Sequence, residues 1–362
     1  MGKVIWIPLV IMVGLIVVVV SCAMYLSAPG YKGPKSPHFD GKRFHNLEQH
    51  EDKTLWDVIR WRWSRKDPKW PVWVENEKYP LPTSRFTDTR AFSVTFINHA
   101  TALIQEKGIN ILTDPIWSDR ASPFSWAGPK RVRAPGVKLD QLPKIDVILL
   151  SHNHYDHLDI KTLKKINKRD QPLVVTGLGN KRYLQKNGIN NVKELDWWGR
   201  TTVGKGIPVV AVPAQHFSGR GGFDRNKTLW AGFLVQSPKG WIYFAGDTAW
   251  GPHFSMIEKK FGSPYLSLLP VGAYAPREFM NTPHINPQEA VKAMLILGSQ
   301  YAIGLHYETF AGLTDEPWGE VYKKLESALD QWKVRRDRFL MMGFGQTCVF
   351  SDKLKCQQPI AK

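Results

Sequence analysis

A chain of 362 residues with 43% hydrophobic content can bury a real core, as one large domain or two small ones. Its three cysteines, Cys22, Cys348 and Cys356, exclude a disulfide scaffold and argue against thiolate-built zinc sites, so any metal must rest on His and Asp. The formal charge of +17 predicts attraction to an anion, whether lipid headgroup, nucleic acid or phosphorylated small molecule, and fifteen tryptophans turn that expectation toward a membrane–water interface.

The first element in chain order is an apolar stretch from Val4 to Val20, interrupted only by Pro8 and Gly14. Continued to Leu26, it is long enough to span a bilayer as a helix of ~20 residues. Val19-Val-Ser-Cys22 also fits the pattern of a lipoprotein signal, with Cys22 as the lipidated residue, and a cleaved signal peptide is a third reading. The first two share membrane association through this segment, 1–26. Lys32, Lys35, Lys42 and Arg43 follow it while Lys3 alone precedes it, which favours a cytoplasmic main domain; lipoprotein processing would put that domain outside.

Residues 27–90 read as linker, helix and arm. Residues 27–50 are rich in Pro, Gly, Lys and His with little periodicity. Leu55, Trp56, Ile59 and Trp63 then recur at helical spacing within 53–66, giving a basic Trp-bearing helix that could lie on a membrane surface or pack on the domain. Trp70 and Trp73 continue as an extended arm. The globular domain is expected over 91–352, with a tail at 353–362. Strands are predicted at 92–97, 102–106, 109–114, 145–150, 172–176, 208–213, 229–236, 240–246, 266–271, 301–306, 338–341 and 347–351. Helices are predicted near 160–168, 287–297 and 316–332, the second capped by Asn286 with Pro287 and Glu289 in its first turn. Strands in two batches, each with helices, suggest an α/β fold of two sheets between helical layers.

Chemistry concentrates in Ser151-His-Asn-His-Tyr-Asp-His-Leu-Asp159, just past the 145–150 strand. His152, His154, Asp156 and His157 are metal-ligand types in the kind of turn where side chains converge outside a sheet. His216, Asp247 and His306 each end or follow another apolar strand, where a buried imidazole or carboxylate would otherwise lack a partner. Together these seven suit two metals sharing a bridging carboxylate.

The ordered set His152-x-His-x-Asp-His157, His216, Asp247 and His306 resembles the metallo-β-lactamase fold of di-zinc hydrolases. Further runs, among them Asn98-His-Ala-Thr-Ala-Leu-Ile104, Leu112-Thr-Asp-Pro-Ile116, Gly128-Pro-Lys-Arg131, Glu194-Leu-Asp-Trp-Trp198, Phe244-Ala-Gly-Asp-Thr248 and Gly272-Ala-Tyr274, resemble the N-acylphosphatidylethanolamine-hydrolysing phospholipase D group over about residues 53–350. The resemblance implies an αββα four-layer sandwich. It implies one zinc on His152, His154 and His216, a second on Asp156, His157 and His306, and Asp247 between them. It also implies that Asp156 and His284 act at the reacting phosphate and that Asp114 orients the site from behind the ligands. Iron or manganese can occupy similar ligands. The expected partners are a membrane phospholipid substrate and an anionic membrane surface, with no nucleic acid, and a homodimer is left open. Asn98 stands where the group usually has Gly, and Tyr307-Glu308 and residues 215–227 also depart from the pattern.

The expected activity is phospholipase D-type hydrolysis of N-acylphosphatidylethanolamine to N-acylethanolamine and phosphatidate. The alternatives are the same fold acting on a lactone or nucleic-acid phosphodiester, and a non-catalytic membrane-anchored binding protein.

Overall fold

Short apolar strands joined by Gly-, Pro- and Asx-bearing turns cannot bury both faces alone, so they must stack as layers. In the computed structural model, which describes residues 6–49, 53–65 and 68–361, they form two mixed sheets face to face. The first runs in the order β17 (Leu354–Cys356), β16 (Thr347–Phe350), β1 (Phe92–Asn98), β2 (Thr101–Glu106), β3 (Ile109–Thr113), β5 (Val147–Leu150), β6 (Leu173–Gly177), β7 (Val192–Leu195). The second runs β15 (Phe339–Leu340), β13 (Tyr301–Leu305), β12 (Leu266–Pro270), β11 (Gly240–Phe244), β10 (Gly232–Ser237), β9 (Ile207–Val212), β8 (Arg200–Val203). A small ribbon pairs β14 (Phe310–Ala311) with β4 (Lys130–Arg131).

Helices cover the outer faces. On the first sheet, α3 (Ile160–Asp170) and α4 (Lys181–Lys186) bury Leu163, Ile166 and Leu184 against Leu103, Leu112 and Ile148. On the second lie α5 (His253–Phe261), α7 (Pro287–Leu297) and α8 (Glu320–Gln331). The α/β sandwich expected from the sequence is therefore present. Within it, β3, β5, β6 and β7 pair in parallel, as do β11, β12, β13 and β15, and the turns beyond several of their carboxyl ends meet along one edge.

The α7 cap forms as expected: the Asn286 side chain accepts from Glu289 N–H while the Glu289 carboxylate accepts from Asn286 N–H. The helix expected from 316 starts only at Glu320, because Pro317 precedes it and Gly319 takes a left-handed φ of 78°. Among the elements absent from the expectation, β7, β8, α4, α5 and the short α6 (Arg277–Met280) are four to nine residues long. None is long enough to show a clear period, and α4 and α5 carry no side-chain cap.

Three expectations need correction. Residues 27–49 are not a bare linker, since Phe39 and Phe44 are fully buried and stack with Tyr31 and His38 onto the core beside Trp197. The expected 353–362 tail supplies the edge strand β17, whose Cys356 faces Cys348 across the ladder in a disulfide. Among the described residues no helix is long and apolar enough to cross a membrane. The helix of that segment is α1 (Trp6–Leu26). The expected membrane span is therefore unsupported.

The second helix, α2 (Leu55–Ser64), opens with a Thr54–Asp57 capping box and packs on the domain through Trp61, which stacks on Phe279 and donates to Asp315. Arg65, just beyond it, pairs with the same Asp315. Trp56 and Trp63 point outward, 76% and 87% exposed. The helix thus packs on the domain by one face and leaves Trp56 and Trp63 free on the other.

Because Phe44 is wholly enclosed, Phe44→Ala should cost about 3–5 kcal/mol in denaturant unfolding. A change within ~0.5 kcal/mol would mean that the 27–49 segment contributes nothing to the fold.

Candidate metal centre

The seven expected ligands lie on turns that follow strands of both sheets. His152 to His157 follow β5, His216 follows β9, Asp247 follows β11 and His306 follows β13. Close approach of these turns excludes side chains at two glycines. A Cβ on Gly272 would lie 2.0 Å from the His306 carbonyl oxygen, and one on Gly246, whose φ is +61°, 2.5 Å from Ser151 Cβ.

The turns bring together one cluster of nitrogens and one mixed cluster. His152 Nε2 is 2.8 Å from His154 Nδ1, which is 3.2 Å from His216 Nε2. Asp156 Oδ2 lies 3.5 Å from His157 Nε2 and 3.4 Å from His306 Nε2. Between them sits Asp247, with Oδ2 3.1 Å from His157 Nε2, 3.3 Å from His306 Nε2, 3.7 Å from His216 Nε2 and 3.9 Å from His152 Nε2. Each cluster could hold a cation: His152, His154 and His216 form one donor set, and Asp156, His157 and His306 belong to another. Among the described residues, His157 Nε2, Asp247 Oδ1 and both ring nitrogens of His306 are buried without a hydrogen-bond partner. Such orphaned donor atoms are costly unless something binds them, and a divalent cation fits this set of imidazoles and carboxylates.

Charge tells the same story. Burial holds His154 and His216 down at about 3 and His152 well below its ordinary value, which keeps all three neutral, as ligands must be. Burial also disfavours charge on His306, but Asp247 and Asp156 outweigh it and lift that ring to about 9. His157 is raised for the same reason, against its own burial, by Asp247 and Asp156. Both carboxylates are held low despite burial, His157 being the largest opposing influence on each. Without metal, protons on His157 and His306 thus neutralise buried carboxylates. Cations would take over that role.

Behind the ligands, Asp114 accepts from His157 Nδ1 at 2.7 Å and from Ser151 N–H and Oγ–H at 2.7 and 2.5 Å. His216 Nδ1 donates to the Pro283 carbonyl at 2.8 Å, which fixes Nε2 as the inward atom. His284 stands beside the cluster with Nδ1 3.8 Å from Asp247 Oδ2, and burial keeps it at about 3 and hence neutral.

Three further residues belong to this centre and were not singled out from the sequence. His99, at a left-handed φ of 46°, approaches Asp156 Oδ2 at 3.1 Å, and its ring centroid lies 3.9 Å from that of His306, joining the Asp156 donor set. The side chain of Asn46 bonds both the N–H and the C=O of His216. Arg220 donates to the Asn153 and Leu158 carbonyls at 2.7 and 2.9 Å and so grips both ends of the catalytic turn. His99 carried a signal, a second histidine-bearing motif at a strand end; Asn46 and Arg220 lay in segments that read as linker and divergent loop.

A cavity of about 360 Å³ opens over Asp156, Asp247, His284 and His306. Its walls are largely apolar, with Val58 and Trp61 of α2, Phe217, Phe279, Met280 and Leu313. Lys53 and Arg225 are its cations.

Residues 109–307 match a family model described as a β-lactamase superfamily domain. The chain belongs to that superfamily. Within it, the chain is 38% identical over 270 residues to N-acyl-phosphatidylethanolamine-hydrolyzing phospholipase D 1 of Caenorhabditis elegans, covering 72% of this chain and 76% of the other. The mitochondrial enzyme of that name from Saccharomyces cerevisiae is 40% identical over 249 residues, 67% of this chain and 53% of its own length. Among solved structures, an isothiocyanate hydrolase from Delia radicum gut bacteria shares the fold, with a TM-score of 0.56 at 19% identity over 70% of this chain and 98% of that one. As a member of this superfamily the chain is a metallo-hydrolase.

Two outcomes follow from the charge balance. Asp114→Asn should weaken divalent-metal binding about 10–100-fold, measured by competition with a chromogenic chelator; unchanged affinity would detach Asp114 from the centre. In chelated protein, the stability that His306 contributes is complete below its unfolded value near 6.5 and drains away as pH rises through about 9. Its Tm should therefore fall across that window, and fall less once metal is restored.

Proposed function

We propose that the protein is a di-zinc phosphodiesterase of the phospholipase D type, converting N-acylphosphatidylethanolamine to N-acylethanolamine and phosphatidate. One observation carries this reading: seven ligand-type side chains converge from turns of both sheets, and five of them, His154, Asp156, His216, Asp247 and His306, floor a cavity with apolar walls and two cations. The names of the C. elegans and S. cerevisiae relatives support the choice of substrate.

His152, His154 and His216 would hold one zinc and Asp156, His157 and His306 the other, with Asp247 between them. When bound, such a pair lowers the pKa of water toward ~7 and neutralises phosphoryl charge. The protein's own groups position the reaction. Asp114, through His157, and the Pro283 carbonyl, through His216, fix which ring nitrogens face the cavity. The apolar walls accept the acyl part of the substrate and exclude water around the phosphate. Lys53 at the mouth offers positive charge to the phosphodiester. Water oxygen adds to phosphorus and the bond from phosphorus to the ethanolamine oxygen breaks. That oxygen takes up a proton, while the glycerol–phosphate bond stays intact in phosphatidate. His284, held neutral, is placed to orient the leaving oxygen through a ring N–H.

The outward Trp56, Ile59 and Trp63 of α2, flanked by Arg60 and Arg62, would rest this rim on the membrane that holds the substrate. The reading therefore includes membrane association.

Vesicles containing N-acylphosphatidylethanolamine should yield N-acylethanolamine and phosphatidate in equal amounts by mass spectrometry, and chelator should stop both. Asp247→Asn should lose bound metal and at least ~10³-fold in turnover, since it removes the shared ligand. Turnover of acyl-lactones or single-stranded RNA in preference to the lipid would replace this reading with another.

A further inference from the structure

The third helix carries a feature that catalysis does not use. Thr162, Leu163 and Ile166 fasten α3 to the first sheet, and the opposite face presents Lys161, Lys164, Lys165 and Lys168, all exposed. These positions fall at i, i+3, i+4 and i+7, which makes one stripe. Among the described residues, none of their ammonium groups has an ion pair or hydrogen bond. The stripe begins four residues after His157. Between its first turn and the Trp117–Ser125 loop lies a cavity of about 380 Å³, lined by Arg120, Lys161 and Lys165 against one carboxylate, Asp119. At the lip of that loop, Phe124 and Trp126 are 42% and 76% exposed, with ring centroids 5.4 Å apart. On the other side, α4 shares α3's core cluster through Leu184. Its Lys186 sits 5.5 Å over the Tyr25 ring of α1, so the exposed apolar side chains of α1 leave the domain beside the same cationic surface.

Unpaired lysines beside exposed aromatic rings and an apolar helix are complementary to one kind of surface, a bilayer with anionic headgroups. We propose that the α3 lysine stripe and the Phe124–Trp126 loop form a docking surface for anionic lipid bilayers, the lysines meeting phosphates and the rings entering the interface. The inference rests on the lipid-substrate reading and deepens it. Acylating the ethanolamine nitrogen removes its positive charge, so the substrate itself is a net anion, unlike its zwitterionic parent. A lysine surface next to the catalytic turn would gather the enzyme where that anion collects.

The test uses the full chain and vesicles of phosphatidylcholine with or without phosphatidylglycerol, at low and high salt. Wild type should bind the anionic vesicles more tightly, and high salt should remove the excess. Glutamine at Lys161, Lys164, Lys165 and Lys168 should remove roughly fivefold of that excess per lysine and leave binding to pure phosphatidylcholine unchanged. Phe124→Ala with Trp126→Ala should weaken binding to both vesicle types. Turnover of substrate dispersed in neutral detergent should be the same in the lysine variant and wild type, which separates docking from chemistry. The docking surface is overturned if the anionic excess survives in the lysine variant, if there is no excess, or if wild type binds single-stranded RNA more tightly than anionic vesicles at equal salt. Stripe-dependent binding without lipid turnover would support the surface and sink the substrate assignment alone.

Discussion

The molecule is organised around three carboxylates, Asp114, Asp156 and Asp247, that converge away from water. A buried carboxylate is costly by several kcal/mol unless opposite charge and hydrogen bonds surround it. Here the surroundings are imidazoles. Asp114 is satisfied by three hydrogen bonds from Ser151 and His157, whereas Asp247 keeps one oxygen with no hydrogen-bond partner among the described residues. That difference separates these two. The carboxylate behind the cluster is fully engaged with protein, and the one between the donor sets keeps capacity for something else.

Delivering this cluster is the work of the sandwich. No single turn holds enough ligands for two cations, so turns from two sheets must be held within a few ångströms of each other. The parallel strands place their carboxyl-end turns on one edge, and the absence of side chains at Gly246 and Gly272 lets those turns touch. Arg220 extends the same logic. Its guanidinium satisfies carbonyls at both ends of the catalytic turn, and the loop that bears it is folded around Asp224, which also accepts from the backbone of Ala28 at the base of α1. A segment that departs from the family pattern thus still serves the ligand-bearing turn.

The parts visible in the sequence were those where one residue type has few structural reasons to be present. Histidines and aspartates at the ends of apolar strands are such a case, and so is the Asn286–Pro287–Glu289 cap. The parts not visible were those whose meaning depends on distant partners. Phe39 and Phe44 sit among prolines, glycines and lysines with no period, and only the surface near Trp197 makes them core. Cys348 and Cys356 are eight residues apart, a spacing that means nothing until a hairpin register sets them opposite. His99 was legible as a motif but not as a ligand neighbour, because its left-handed backbone is what turns the ring toward Asp156.

Substrate access follows from where α2 is pinned. Trp61 stacks on Phe279 while both side chains line the cavity over the donor sets, so the helix that walls the site also carries the outward Trp56 and Trp63. A water-soluble substrate would gain nothing from tryptophans on the far side of that wall. A lipid must leave its bilayer by the shortest path, and amphipathic rings at the entrance shorten it by letting the rim sit at headgroup depth. On the proposed lipid reading, the aromatic rim would impose one geometry: chemistry at the surface of the lipid, with the phosphate drawn only as far as the buried carboxylates reach.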